Sequence, residues 1–250
     1  MHPFFAALAF LTKIPVPGQD KITEDNLVRG IAYFPLVGTV LGGSLYLFSR
    51  FLSIFFAGKT SLSAALLLIL WVFLTGALHL DGLADTFDGL AGGRTKEDRL
   101  RIMQDSSTGS FGLVAVVLLL LLKFVCLQTL KGEHLTAALF YSPLLSRWSM
   151  VVLMYSTPYA RKKESLGKPF VEQMNKEQLI LATALTIAAG FFYPQTFFLI
   201  LLPPILLLIL LLQRFYLQRL GGITGDCLGA ANETLEAAVL FLLLLPHTLR

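Results

Sequence analysis

Charge is scarce in this chain. Only 14% of its 250 residues are charged and 55% are hydrophobic, whereas roughly a quarter of an average soluble domain is charged. Water does not solvate a surface built this way, so lipid must cover much of it. Cysteine is scarcer still. Cys126 lies in an apolar run and Cys227 in a polar one, a pair that gives neither a disulfide framework nor a thiolate metal site. His2, His79, His134 and His247 are scattered, which argues against a zinc centre and leaves oxygen ligands for any divalent cation. The opening residues lack the basic start and small-residue cleavage pattern of a secretory signal. Phe4, Leu8 and Leu11 instead fall at helical spacing with Lys13 closing the stretch, the pattern of a helix lying along a membrane interface. The net charge of +4 implies no nucleic-acid partner, because Lys and Arg in such a chain are first explained by orientation in a bilayer.

Long apolar runs are abundant. A spanning helix takes about 20 predominantly apolar residues, and candidate spans fall at 30 to 56, 62 to 80, 110 to 130, 135 to 157, 178 to 193, 196 to 213 and 228 to 246. The expected fold is therefore all-α, a polytopic integral membrane bundle of about seven helices forming one membrane domain over 1–250. The fifth and sixth runs are short, and Pro203-Pro204 interrupts the sixth, leaving a kinked or re-entrant arrangement open. Gly38, Gly42 and Gly43 read as positions of close helix packing. Basic residues alternate between the two sides of the bilayer. Lys13, Lys21 and Arg29 precede the first span; Arg94, Lys96, Arg99 and Arg101 follow the second; Arg161, Lys162, Lys163, Lys168 and Lys176 follow the fourth; Arg214 and Arg219 follow the sixth. The other side holds Arg50, Lys59, Lys131 and Arg250. By the positive-inside rule the N-terminus is cytoplasmic and the C-terminus external, with 1–29 a cytoplasmic or interfacial segment and 81–109 and 214–233 cytoplasmic loops.

That assignment puts every Asp and Glu except Glu133 on the basic side or at a helix end opening to it. Acidic residues contribute little to orientation, so their gathering calls for a functional reason. Asp81, Asp85 and Asp88 stand at i, i+4 and i+7, within an arc of about 60° on one helical face. Three ionised carboxylates so placed repel one another by roughly 1 kcal/mol per close pair even in water, and Mg²⁺, which combines carboxylates with water and substrate phosphates, would offset this. The plainer alternative is that they are ordinary caps. Thr95 and Asp98 form the pattern of a capping box, predicting a short helix from Lys96 to Gln104. Arg94 and Arg99 suit phosphate oxygens or membrane orientation equally, and Asp105 with Ser106 suits a cap or a ligand. Asp226, Glu233 and Glu236 share a broad helix face with Asn232, beside Gly229 and Ala230, which permit close approach. Ionisable residues inside a span mark a site by default. Arg147 is a candidate intramembrane counter-charge, binding substrate or pairing with one of those acids.

Several ordered blocks carry a resemblance. They are Phe10-Leu11-Thr12-Lys13-Ile14-Pro15-Val16-Pro17, Tyr33-Phe34-Pro35-Leu36-Val37-Gly38, the acidic run from His79 to Gly89, Arg99 to Ser106 continuing to Gly109 and Gly112, and Gly221 to Asp226 followed by Gly229, Ala230 and Glu233. From end to end the chain resembles the cobalamin synthase family, the adenosylcobinamide-GDP ribazoletransferases. The resemblance implies a Mg²⁺-dependent transfer in which a hydroxyl of α-ribazole or its 5′-phosphate attacks the cobinamide-linked phosphorus of adenosylcobinamide-GDP and expels GMP. It further implies metal ligation by Asp81, Asp85 and Asp88, and a role for Asp226 or Glu233 in orienting the hydroxyl or binding a second metal. Lys13, Arg94, Arg99, Asp105, Ser106, Arg147, Thr224, Asn232 and Glu236 become the candidate substrate contacts. The expected partners are those two substrates and the lipid bilayer, with room for a homo-oligomer.

Other readings compete. A CDP-alcohol phosphotransferase also displaces a nucleoside monophosphate at a membrane-surface aspartate cluster, but Asp85 stands where its pattern wants Arg. An intramembrane prenyltransferase would use an Asp-rich Mg²⁺ site on a prenyl diphosphate. An ion-coupled transporter using Glu236, Arg147 and Asp226 is disfavoured by the absence of a visible inverted repeat and by acids at the rim rather than the midplane.

Overall fold

The computed structural model describes residues 1–105, 107–161 and 167–245. Ser106, the basic pair Lys162-Lys163 and the end of the last expected span lie outside the described residues. The described chain is helical: α1 (Pro3–Leu11), α2 (Glu24–Gly30), α3 (Phe34–Phe55), α4 (Thr60–Thr75), α5 (Leu78–Gly92), α6 (Lys96–Ile102), α7 (Ser110–Thr129), α8 (Gly132–Ser156), α9 (Lys168–Glu172), α10 (Lys176–Gly190), α11 (Gln195–Leu220) and α12 (Gly225–Leu242). Local chemistry starts several of them. Thr23 with Asn26, Thr95 with Asp98 and Asn175 with Gln178 close capping boxes at α2, α6 and α10, each satisfying otherwise orphaned N–H groups. The helix after Thr95 ends at Ile102, two residues before the expected Gln104.

The count of seven spans is not confirmed. Among the described residues, four helical stretches are long and apolar enough to cross a membrane, Glu24–Phe55, Ser110–Thr129, Gly132–Ser156 and Gln195–Leu220, and α4 with α5 makes a fifth if that bent pair counts as one span. At 15 residues α10 is too short, and α12 carries Asp226, Glu233 and Glu236 in its 18 residues. Pro203 and Pro204 do not break α11, which runs on through both. Buried share separates the spans: 89% of the apolar window of α8 is buried in the protein, against 28% for α7 and 22% for α11. The helix richest in buried polar groups, α8 with Ser142, Ser146, Arg147 and Ser149, is thus central, while α7 and α11 turn Leu113, Val117, Leu118, Leu121, Leu207 and Leu210 outward.

Glycine sets the closest packing. A Cβ on Gly38 would meet the Pro143 carbonyl oxygen at 2.2 Å, and one on Gly42 the Leu139 carbonyl oxygen at 2.9 Å, so α3 and α8 touch backbone to backbone. Gly43, expected to do the same, faces open space, with nothing within 4 Å. The N-terminal helix forms as expected, but its Leu8 and Leu11 are buried in the protein core rather than laid on a bilayer surface. Between α4 and α5, Gly76 and Ala77 both adopt left-handed backbone, φ 60° and 56°, and the two helices meet at 87°. Lys13 spans this bend: its amide donates to the Leu74 carbonyl at 2.7 Å, and its side chain lies over Gly76.

Candidate active site

The bend sends α5 across α12, and two glycines let their backbones meet. A Cβ on Gly82 would lie 2.8 Å from the Asp226 carbonyl oxygen, and one on Gly229 would lie 3.2 Å from both Cα and carbonyl oxygen of His79. The acidic face of α5 therefore sits beside the first turn of α12, where the Thr224 hydroxyl caps the helix by accepting from the Cys227 amide. The segment after α8 completes the site. Ile223 donates to the Pro158 carbonyl at 2.9 Å and Ala160 to the Ile223 carbonyl at 2.8 Å, a short parallel bridge that delivers Arg161 to Asp226. Arg161 Nη2 donates to Asp226 Oδ2 at 2.6 Å and to the Met103 carbonyl at 3.3 Å. A cavity of about 250 Å³ opens here, and His79, Asp81, Tyr159, Arg161 and Asp226 are its charged or titratable lining residues.

The three α5 aspartates do not act alike. Asp81 is exposed on the cavity, and Asp85 is half-buried within the electrostatic reach of Asp226, Asp81, Asp88 and Arg161. Neither has a hydrogen-bond or ion-pair partner among the described residues. Asp88 is buried and committed elsewhere: its two oxygens accept from the Gly109 amide at 2.7 Å and the Gly112 amide at 2.8 Å. It caps α7 from a neighbouring helix, using N–H groups that a helix start leaves orphaned. Side chains on Gly109 or Gly112 would strike its carboxylate, each with a Cβ only 2.4 Å from an oxygen. Among the described residues no three acidic, histidine or cysteine side chains form a ligand set for a metal ion. Within the expected triad, Asp81 and Asp85 thus keep their oxygens unengaged among the described residues, while Asp88 accepts from two backbone amides. A free carboxylate pair still suits Mg²⁺, which commonly takes one or two carboxylates and fills its octahedron with water and phosphate oxygens.

Glu233, Glu236, Asn232 and Arg147 sit apart from the cavity lining, in a buried network. Lys123 Nζ of α7 lies 2.5 Å from Glu233 Oε2 and 2.5 Å from Glu236 Oε2. Arg147 of α8 pairs with Glu236 Oε1, to which Asn232 also donates at 3.3 Å. Two acids thus meet two cations inside the bundle. The remaining expected contacts are spread out. Arg94 is exposed; Arg99 donates to the Gly93 carbonyl at 3.1 Å and the Arg219 carbonyl at 3.1 Å, tying α6 to the end of α11. Asp105 is exposed and accepts from the Ser107 hydroxyl and amide, which hold its carboxyl below the usual range.

Sequence reasoning missed three residues. Lys123 is absent from the tally of basic residues on the two sides of the bilayer because it falls inside an apolar run, yet a lone lysine in an apolar run beside unpaired acids in another run is itself the signal of an ion pair. Arg161 was counted only for orientation, and nothing local announces the bridge that places it. His79, buried beside Gly229, was read as scattered.

The family model of cobalamin-5-phosphate synthase matches residues 3–244. A Pseudomonas putida protein described as an adenosylcobinamide-GDP ribazoletransferase is 40% identical over 240 residues, 96% of this chain and 97% of its own length. Proteins of the same description from Alkaliphilus metalliredigens and Syntrophobacter fumaroxidans are 39% and 38% identical, covering 98% and 95% of this chain and 96% of their own lengths in both cases. No solved structure matches. A match that takes in α1, the aspartates of α5, the cap at Gly109 and Gly112, and all of α12 leaves no part of the site outside it: the chain belongs to the cobalamin-5-phosphate synthase family.

Proposed function

We propose that this membrane protein transfers the adenosylcobinamide-phosphate moiety of adenosylcobinamide-GDP to α-ribazole or α-ribazole 5′-phosphate, releasing GMP and forming adenosylcobalamin or its 5′-phosphate. The observation that carries the reading is the α5–α12 crossing at Gly82, which brings Asp81, Asp226 and Arg161 onto one cavity. In the transfer a ribose hydroxyl forms a new P–O bond to the cobinamide-linked phosphorus, the bond to the GMP phosphate breaks, and GMP departs with the electron pair. Asp226, fixed by Arg161, orients the hydroxyl and takes its proton. Arg161 offers its guanidinium to phosphate oxygens. Asp81 and Asp85 would hold Mg²⁺, which would supply positive charge against the diphosphate and the leaving group, as phosphoryl transfer requires. The positive-inside distribution of Arg94, Lys96, Arg99, Arg101, Arg214 and Arg219 supports an active site opening to the cytoplasm.

The test is direct. Purified protein in detergent, given adenosylcobinamide-GDP, α-ribazole 5′-phosphate and Mg²⁺, should release GMP in step with a new corrinoid product, and chelation of the metal should stop both. Absence of both products with metal present would overturn the function; full turnover after chelation would overturn the metal assignment alone.

A further inference from the structure

The cavity has a second wall that the proposed chemistry does not use. Phe10 of α1 meets Phe170 of α9 edge to face, centroids 5.1 Å apart at 84°, and lies near-parallel to Phe34 of α3 at 6.4 Å and 24°. Met150 and Met154, one turn apart on α8, line the same space. Aromatic rings and thioethers together make a lining suited to an aromatic guest, through edge-to-face and sulfur–ring contacts. Size narrows the guest. About 250 Å³, below the roughly 300–1,000 Å³ of sites that enclose a drug-sized ligand, is room for one bicyclic base, with the rest of a larger substrate extending out of the cavity.

Two bases enter the reaction, and their edges differ. Guanine, on the donor, presents a carbonyl, a ring N–H and an exocyclic amine, and each is unfavourable to bury without a partner. Dimethylbenzimidazole, on α-ribazole, presents a hydrocarbon edge. We propose that Phe10, Phe170, Met150 and Met154 form the subsite for the benzimidazole base of the acceptor and select against acceptors whose base has a polar edge. This rests on the transferase reading. The base sits against the apolar wall while its ribose reaches Asp226 and Arg161 on the other side of the same cavity.

Two measurements test it. Equilibrium dialysis of purified wild-type protein against free 5,6-dimethylbenzimidazole should show saturable binding that guanine does not displace, and this readout needs no turnover. Met154→Gln, nearly equal in shape to the native residue, should raise KM for α-ribazole 5′-phosphate about tenfold, the scale of lost complementarity in an apolar pocket. KM for adenosylcobinamide-GDP should stay unchanged, and the kcat/KM of an adenine-bearing α-riboside phosphate should rise relative to the benzimidazole acceptor. A rise in the donor KM instead, unchanged KM for both substrates, or displacement of the bound base by guanine would each overturn the subsite. Saturable base binding by a protein that forms no corrinoid product would leave the subsite standing and refute the transferase reading. Product formation without base binding would do the reverse.

Discussion

Asp81, Asp85 and Asp88 share one face of α5 and meet three different surroundings: an open cavity, a half-buried position among other carboxylates, and two backbone amides. Their substitutions should separate accordingly. Asp85→Asn keeps shape and removes charge, and should reduce transfer by at least about a hundredfold, the scale of losing an electrostatic stabiliser, while membrane insertion and thermal unfolding in detergent stay unchanged; near-normal turnover would remove Asp85 from the metal site. Asp88→Ala should act through stability, costing about 1–2 kcal/mol as a lost helix cap, and would be seen as a lower unfolding midpoint. Adding Mg²⁺ should not restore that midpoint. Arg161→Gln should lower kcat/KM while leaving the unfolding midpoint close to wild type, because its Asp226 partner is not fully buried.

At the scale of elements, the site depends on how closely helices approach. Gly38 and Gly43 are both glycines of α3 with opposite surroundings, one against the Pro143 carbonyl and one against nothing. Gly38→Ala should destabilise by about 1–3 kcal/mol, the usual cost of overpacking, whereas Gly43→Ala should be neutral or slightly stabilising by removing an interior glycine; equal midpoints for the two variants would contradict the α3–α8 packing. Gly82 is the functional counterpart, since a side chain there would push Asp226 away from Asp81. The helices themselves were legible from apolar runs and from capping patterns such as Thr95 with Asp98. The turn at Gly76-Ala77 was not, because a left-handed alanine leaves no mark in composition. Nor was the helical continuity of α11 through Pro203-Pro204.

At the scale of the molecule, the bundle is pinned by charges in its interior. Lys123 from α7 and Arg147 from α8 clamp Glu233 and Glu236 of α12. Lys123→Met would leave two buried carboxylates with one counter-charge and should cost about 3–5 kcal/mol, measured as loss of folded protein in detergent. Orientation is testable in the intact cell: single cysteines placed at Arg94 and Arg214 should react with a membrane-impermeant thiol reagent only after the membrane is opened, and one at Lys59 before. Labelling of Arg94 and Arg214 positions in sealed cells would reverse the orientation proposed here.

The sequence by itself determined that this chain is a helical membrane protein, which cobalamin-related family it resembles, and which acids deserve attention, because apolar run length, capping patterns and ordered motifs are local properties of a chain. Tertiary structure alone decided how those acids divide. Asp88 became a cap because Gly109 and Gly112 arrive from α7, Glu233 and Glu236 became partners of Lys123 because α7 and α12 are neighbours, and Asp226 met Arg161 through a bridge to Ile223. A carboxylate's identity is written in one residue, but what it can do depends on which donors, cations or open space other segments bring to it.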